Sequence, residues 1–342
     1  MASHPPPISL APHWTCRMPL ITTELTTRLG IEHPILLAPM GDSAGGRLAA
    51  AVSRAGGLGL IGGGYADPGW LEPQLEAAGD TRVGVGFITF ALDERPATLA
   101  LALERAPVAV QLSFGDPGPY ADRIHASGAL LICQVQTKAE AIQAARCGAD
   151  VIVAQGQDSG GHGRSGRGTI GLVPAIVDAV APLPVVAAGG IADGRGLAAA
   201  LMLGAAGITL GTRLLATTEA ICDPTAAELL VSRGGDDTTR TEAFDVIRGP
   251  AWPDGYDGRA IRNDTTDRWD QEPLGPAERL RLAEAYRHAS AEDYAVRAMW
   301  AGDALDLIHE IESAADVIAA VTDDARRLLA SAPTTFAVET SP

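Results

Sequence analysis

A glycine-rich loop contains the residue of this chain best suited to proton transfer. The loop, residues 154–168, reads AQGQDSGGHGRSGRG, and its histidine, His162, has glycine at positions 160, 161 and 163. Neighbours without side chains leave an imidazole free to project into a pocket, and a free histidine titrates near neutral pH. We therefore predict that His162 is a general base, with a surface or satisfied structural histidine as the alternative. Arg164 and Arg167 either hold an anionic substrate or are solvated.

Two further glycine-rich segments have the composition of phosphate-binding turns. They read AAGGIADG, residues 187–194, and TLGT, residues 209–212. Glycine lets backbone amides approach a ligand closely, and a helix N-terminus adds partial positive charge. We predict a phosphate site here, with tight turns as the alternative. Asp193 is predicted to cap the next helix and to take no part in chemistry.

These segments need a scaffold, and the hydrophobic pattern supplies a repeating one. Eight short apolar runs begin near residues 34, 58, 83, 108, 129, 150, 184 and 207, with Ala-rich helical spacing between them. Four junctions place a glycine where a helix ends and a strand follows. Runs that are apolar on both faces are typical of parallel strands covered by helices. We predict a (β/α)8 TIM barrel, with its site at the carboxyl ends of the strands; a doubly wound open sheet is the alternative.

Other kinds of site are not supported by the residues at the predicted strand ends. These ends hold no pair of carboxylates for glycoside hydrolysis and no His-rich ligand set, so we predict no metal. The single lysine, Lys138, argues against Schiff-base chemistry. Gly57, Gly59 and Gly62 match GxGxxG but lie within a predicted strand, where a dinucleotide loop does not fit. Ser113 has no GxSxG elbow around it.

Composition and charge limit the class of protein further. The chain has 342 residues, and its 26 basic and 42 acidic residues give a net charge of −16. This balance argues against binding to nucleic acid or to an anionic membrane. The four cysteines form no CxxC pair, and the N-terminus has no signal-peptide pattern. The cytoplasm is therefore the predicted compartment.

The domain organisation follows from a change of pattern near residue 217. Residues 1–19 are predicted to be a flexible N-terminal arm, and residues 20–216 with about 305–331 to form the barrel. Residues 234–273 are rich in Asp, Arg, Gly, Pro and Trp and have little periodicity. We predict that residues 217–304 form a helical, substrate-covering subdomain inserted after the eighth strand. Residues 332–342 are predicted to be a polar tail.

Four segments resemble the nitronate monooxygenase family, formerly called 2-nitropropane dioxygenases. They are LAPM at 37–40, AQGQDSGGHG at 154–163, AAGGIADGRG at 187–196 and LGTRLLAT at 210–217, in the family's order. A weaker match, WAGDALDLIHEI, begins at residue 300. The resemblance implies an FMN-dependent TIM barrel with a small helical domain over the flavin.

The resemblance also assigns roles to residues of this chain. The histidine of the GGH motif, His162, would be the catalytic base. The cofactor-binding residues would be Ala38, Pro39, Met40, Gln134, Gln155, Gly160, Gly161, Gly189, Gly190, Thr209, Leu210, Gly211 and Thr212. The segment 38–40, Gln155 and the two glycines before the histidine would contact the ring system, and Gly190 with residues 209–212 would hold the phosphate. The chain departs from the family by having Asp158-Ser159 before GGH, Gly86 or a neighbour in place of an Asn, and Gln134 in place of a Lys.

The implied activity is oxidation of an alkyl nitronate, or its parent nitroalkane, by O2 to a carbonyl compound and nitrite. The alternatives are an NAD(P)H-dependent flavin reductase of quinones or enoyl thioesters and a phosphate-binding isomerase or lyase without flavin. A flavin-binding protein without turnover is a further alternative. The expected partners are the small-molecule substrate and O2, without nucleic acid or membrane, and the oligomeric state is left open with a homodimer as one option.

Overall fold

The computed structural model describes residues 20–249, 252–271 and 274–335. The predicted N-terminal arm lies outside these residues, as does the tail from residue 336. The described part forms eleven strands, which are β1 Ile35–Leu37, β2 Leu60–Gly64, β3 Gly84–Ile88, β4 Ala109–Ser113, β5 Leu130–Val135, β6 Val151–Gln155, β7 Gly161–Gly163, β8 Val185–Ala188, β9 Gly207–Leu210, β10 Thr238–Thr241 and β11 Asp257–Ile261. Its helices are α1 Glu24–Leu29, α2 Gly46–Arg54, α3 Pro68–Ala78, α4 Thr89–Glu94, α5 Ala97–Leu103, α6 Gly118–Ala126, α7 Lys138–Arg146, α8 Thr169–Val180, α9 Gly194–Met202, α10 Thr212–Leu215, α11 Pro224–Ser232, α12 Ala243–Arg248, α13 Asp264–Gln271, α14 Pro276–His288 and α15 Ala314–Thr335.

Eight of the strands form one parallel sheet in the order β1-β9-β8-β6-β5-β4-β3-β2. A parallel bridge between Leu36 and Leu58 joins its two ends. There the amide of Leu58 donates to the carbonyl of Ile35 at 3.0 Å, and the amide of Leu37 donates to the carbonyl of Leu58 at 2.9 Å. The sheet is therefore closed, which confirms the (β/α)8 barrel and excludes the open doubly wound sheet.

The barrel has apolar layers on both faces of its strands, as the two-sided apolar runs predict. Side chains such as Leu36, Leu60 and Val153 form a cluster that also includes Leu25 and Leu29 of α1. A second cluster packs the strands against the surrounding helices. Helix α1 is fixed by Thr23, whose side chain caps its first turn and donates to the carbonyl of Ala206 at 2.6 Å. Burying strands on both faces in this way is typical of parallel sheets.

The glycines predicted to end helices have the expected backbone conformation. Gly56, Gly128, Gly148 and Gly204 have φ of +91°, +85°, +91° and +91°. Each comes just before a barrel strand, and residues that carry a side chain rarely adopt such backbone angles. This left-handed residue turns the chain from helix to strand within a few residues.

The segment after α10 contains strands as well as helices. Strands β10 and β11 pair antiparallel, and β11 pairs antiparallel with β7, so the three form a small second sheet. The sequence predicts a helical subdomain over residues 217–304, and the structure places these two strands among its helices. Their sequences, TTRT and DGRAI, lack the apolar runs of the barrel strands. The division of this segment into a separate subdomain stays a prediction.

The C-terminal helix α15 returns to the barrel and packs between α9 and α2. Val317, Ile318 and Val321 are buried there in the outer apolar layer. The helix continues to Thr335, so the predicted tail begins within its last turn. Among the helices described, none combines the length and apolar character that crossing a bilayer requires.

Candidate functional site

His162 lies over the carboxyl ends of the barrel strands, on β7, seven residues after the end of β6. In the small sheet its backbone is opposite Gly258 of β11. Gly258 has room for no side chain, because a Cβ there would lie 2.3 Å from the Trp300 ring. This pairing holds the histidine at the mouth of the barrel, where the sequence places it.

The imidazole of His162 is paired with a carboxylate that the sequence analysis missed. Its Nε2 lies 2.8 Å and 2.9 Å from the two carboxylate oxygens of Asp245, on α12. The side chains are 11% and 8% exposed, so the pair is almost fully shielded from solvent. Asp245 belongs to the segment without periodicity, 83 residues along the chain, and no local signal connects the two.

Two tryptophan rings lie against this imidazole. The Trp252 ring is stacked on it, with centroids 3.6 Å apart and planes 3° apart. The Trp300 ring is tilted against it at 4.9 Å. Asp245 is bound at Nε2, so Nδ1 is the ring nitrogen that has no hydrogen-bond partner among the described residues.

A group of aromatic side chains, the aromatic cover, surrounds Trp252. It consists of Trp252 with Tyr65, Phe90, Phe114 and Tyr256, whose ring centroids lie between 5.0 Å and 6.4 Å from that of Trp252. The indole Nε1 of Trp252 donates to the Tyr65 hydroxyl at 3.0 Å. Phe114 has φ of +64°, a conformation that costs a bulky residue energy and is retained where the surroundings enforce it. Burial raises the pKa of the Tyr65 and Tyr256 hydroxyls, so both stay neutral near pH 7.

Glutamines form a hydrogen-bonded chain beneath the histidine. Gln155 accepts from Gln134 at 3.1 Å and from Gln136 at 2.7 Å. Its own amide then donates to the backbone carbonyl of His162 at 3.0 Å. Gln111 donates to Gln134 at 3.2 Å, which extends the chain to a third strand. The structure thus brings the predicted residues Gln134 and Gln155 to the site and adds two more glutamines.

Arginines fix the loop that carries the histidine. Arg240 and Arg259 both donate to the carbonyl of Gln157, at 3.1 Å and 3.3 Å. Arg164 donates to Glu140 at 3.0 Å and lies 4.0 Å above the Tyr256 ring. Each of these guanidinium groups is thus held by partners within the protein, and their contacts stabilise the loop.

The glycines predicted to bind phosphate form a turn at the end of β8. Gly189 and Gly190 have φ of +106° and +67°. On the neighbouring strand β9, the hydroxyl of Thr209 is buried without a hydrogen-bond partner in the described residues. Thr212, in contrast, accepts from the amide of Gly302 at 3.0 Å. Two consecutive turn glycines beside an unsatisfied hydroxyl are the pattern expected at a site for an anionic ligand.

Three carboxylates lie near this turn, and two of them accept from backbone amides at the start of a helix. Asp193 accepts from the amides of Arg195 and Gly196 and caps α9, as predicted. Asp158 accepts from the amide of Thr169 at 2.6 Å at the start of α8. Asp303 lies close to Gly190, since a Cβ there would meet its Oδ1 at 3.2 Å. Burial, and then the charge of Asp158, raises the pKa of the Asp303 carboxyl.

The segment Ala38-Pro39-Met40 follows β1 and crosses the mouth close to its neighbours. A Cβ on Gly86 of β3 would lie 2.3 Å from Pro39, and one on Gly62 of β2 would lie 2.5 Å from the carbonyl of Met40. A side chain at either of these two strand positions would therefore clash with this segment. On the other side, the Met40 sulfur would lie 3.7 Å from a Cβ on Gly211.

Two predicted loop glycines differ in their surroundings. A Cβ on Gly160 would lie 2.5 Å from the carbonyl carbon of Ala301, whereas one on Gly161 would meet nothing within 4 Å. Close packing therefore requires glycine at position 160, whereas the φ of +69° at Gly161 favours glycine there. Leu210, also predicted to bind the cofactor, is fully buried in the outer apolar layer.

Comparisons with known proteins agree with this geometry. The family described as nitronate monooxygenase matches residues 22–82 and 88–324. A nitronate monooxygenase from Neurospora crassa is 34% identical over 342 aligned residues, which cover 86% of this chain and 90% of the relative.

Solved structures of the same shape include FabK from Thermotoga maritima, with a TM-score of 0.80 and 31% identity over 92% of this chain and all of that one. Nitroalkane oxidase from Streptomyces ansochromogenes has a TM-score of 0.74 and 28% identity, over 89% of this chain and 99% of the other. The chain belongs to the nitronate monooxygenase family and is a flavin-dependent oxidoreductase with a TIM-barrel fold.

Proposed function

We propose that this protein uses FMN to oxidise alkyl nitronates and their parent nitroalkanes with O2, giving a carbonyl compound and nitrite, with His162 as the base. Family membership supports the substrate class. The observation that carries the proposal is the buried imidazole of His162, held over the strand ends by Asp245 and Trp252. A buried, oriented base beside an aromatic surface suits proton transfer from carbon.

The residues at the mouth fit an FMN molecule. The turn of Gly189 and Gly190, with the unsatisfied hydroxyl of Thr209, suits the phosphate. The Ala38-Pro39-Met40 segment and the amides of Gln134 and Gln155 offer an apolar surface and hydrogen-bonding groups for the ring. When bound, FMN would supply the redox chemistry by accepting electrons from the nitronate and passing them to O2.

The protein's own groups would act on the substrate before that redox step. His162 would take the α-proton of a nitroalkane, which leaves a nitronate anion beside the imidazolium. The aromatic cover would exclude water from this ion pair, which strengthens its electrostatic stabilisation. The net charge of −16 does not oppose an anionic intermediate, because the groups nearest to it are an imidazolium, whose charge balances that of the Asp245 carboxylate, and neutral rings.

The test is an aerobic assay of the flavin-loaded protein with a nitroalkane and its nitronate, measuring oxygen uptake and nitrite. For His162→Asn we expect turnover of the neutral nitroalkane to fall by about 10²–10⁴-fold, the usual contribution of a general base, with flavin still bound. His125→Asn is the matched control, since His125 pairs with Asp150 at 2.9 Å on the surface. Unchanged nitroalkane turnover in His162→Asn would contradict the assignment of the base.

The alternative, an NAD(P)H-dependent flavin reductase, makes a different prediction on the same protein. Anaerobic mixing with NADH or NADPH would bleach the flavin of a reductase quickly. For the proposed monooxygenase we expect little bleaching, together with nitronate-dependent oxygen uptake. A protein that bleaches with either nucleotide and ignores nitronates would replace the proposed function by the alternative.

A further inference from the structure

Asp245 is a buried carboxylate, and its burial requires a physical explanation. Its side chain is 8% exposed, and its ion-pair partner among the described residues is His162. Burying a carboxylate is costly unless a cation or several donors compensate for the lost hydration. The fold therefore maintains an arrangement that is fully compensated when the imidazole carries a proton.

We propose that Asp245 is a positioning residue that fixes His162 in one tautomer and stabilises its protonated form, so that neutral nitroalkanes are substrates as well as nitronates. This inference rests on the proposed function. A nitronate has already lost its α-proton, and its oxidation needs no base. Proton abstraction from a neutral nitroalkane does need one, so the carboxylate matters for that substrate alone.

The geometry determines which nitrogen acts. A carboxylate only accepts hydrogen bonds, so the nitrogen between 2.8 Å and 2.9 Å from both its oxygens is the one that carries the hydrogen. In neutral imidazole the other nitrogen, Nδ1, then holds the lone pair. Trp252 stacks on the ring face with planes 3° apart, and this contact opposes a rotation of the imidazole that would turn Nδ1 towards Asp245.

The proton step balances with these groups alone. The C–H bond of the nitroalkane breaks, an N–H bond forms at Nδ1, and the electron pair moves into the nitro group to give the nitronate. The neutral imidazole becomes an imidazolium, whose charge is stabilised by Asp245 on the opposite side of the ring. In a site of low dielectric this stabilisation is larger than it would be in water.

A second His–Asp pair in the same chain shows what is special about the first. His125 lies 2.9 Å from Asp150, yet its side chain is 39% exposed and Asp150 is 22% exposed. Asp150 also accepts from the amide of Leu131 at 2.8 Å, so it has a structural partner. Asp245 has no such backbone donor among the hydrogen bonds of the described residues, and its burial serves the imidazole.

The test is Asp245→Asn, assayed with a neutral nitroalkane and with its preformed nitronate, alongside flavin content and thermal stability. We expect kcat/KM for the nitroalkane to fall by about 10²–10³-fold, while that for the nitronate changes less than about 3-fold. Asp245→Glu keeps the charge and should recover part of the nitroalkane activity. Asp150→Asn is the matched control, with an unchanged ratio between the two substrates.

The outcomes separate this inference from the proposed function. Equal losses of kcat/KM on both substrates, or no loss on either, would overturn the role of Asp245, because a purely structural residue affects both substrates alike. If Asp245→Asn does not retain flavin, the same ratio measured on Asp245→Glu decides in its place. A wild-type protein that oxidises neither substrate would instead overturn the proposed function.

Discussion

Replacing Gly189 by alanine should damage the turn predicted to hold phosphate. Gly189 has φ of +106°, which residues with a side chain rarely adopt. An added Cβ would lie 3.0 Å from each of three atoms: the carbonyl oxygen of Gly156, the amide nitrogen of Ser159 and the hydroxyl of Thr169. Two of these are backbone atoms, which cannot move aside as a flexible side chain can.

The expected magnitude is the sum of two effects. Holding alanine in such a backbone conformation costs about 1–3 kcal/mol, and forcing a methyl group into a packed site costs about 1–3 kcal/mol more. We therefore expect Gly189→Ala to lower the free energy of unfolding by about 2–6 kcal/mol. Gly171→Ala is the matched control, since Gly171 is in α8 and an added Cβ would meet nothing within 4 Å. Alanine favours a helix, so this variant should be up to about 1 kcal/mol more stable than wild type.

The assay is urea unfolding of both variants and the wild type, followed by tryptophan fluorescence, together with titration of flavin-free protein with FMN. Gly189→Ala should unfold at lower urea and bind FMN more weakly, whereas Gly171→Ala should bind it as the wild type does. If Gly189→Ala matched Gly171→Ala in both measurements, the backbone argument for this turn would be refuted.

Two other variants test the same end of the barrel. Thr209→Val removes a buried hydroxyl that has no partner in the described residues, so the flavin-free protein should be as stable as wild type or slightly more so. Its affinity for FMN should fall about 10-fold or more, because a hydrogen bond to a charged group is lost. Unchanged affinity in a fluorescence titration would count against a phosphate contact. Asp303→Asn removes a carboxyl whose pKa is raised by burial and by Asp158, so wild-type stability decreases as pH rises through that pKa. The variant should therefore melt at a higher temperature than wild type near pH 7, and this difference should vanish at a pH below the usual range of aspartate.

Much of the barrel could be predicted from the sequence because its signals are local. All eight barrel strands begin within three residues of the predicted starting points near residues 34, 58, 83, 108, 129, 150, 184 and 207. A strand buried on both faces must be apolar throughout, and a glycine such as Gly148 must stand where the helix before it ends. Each of these requirements acts on a few consecutive residues, so each can be read without knowledge of the fold.

The partners of His162 could not be predicted in the same way. His162 was found through its glycine neighbours, but Asp245 and Trp252 lie in a segment of mixed composition whose strands are short and polar. Their contacts with the imidazole depend on the pairing of β7 with β11, which joins residues nearly one hundred positions apart. The roles of Gln111 and Gln136 likewise appear only when neighbouring strands are placed side by side.

The small sheet has a consequence for how the mouth of the barrel can open. Strand β7 carries His162, the proposed base, and β10 and β11 flank α12, the helix of Asp245, along the chain. Ladder hydrogen bonds join the three strands. Any movement that lifted this polypeptide away from the rim would carry the imidazole with it. If His162 is the base, an open mouth would then lack its proton acceptor, and deprotonation would take place only while the small sheet covers the strand ends.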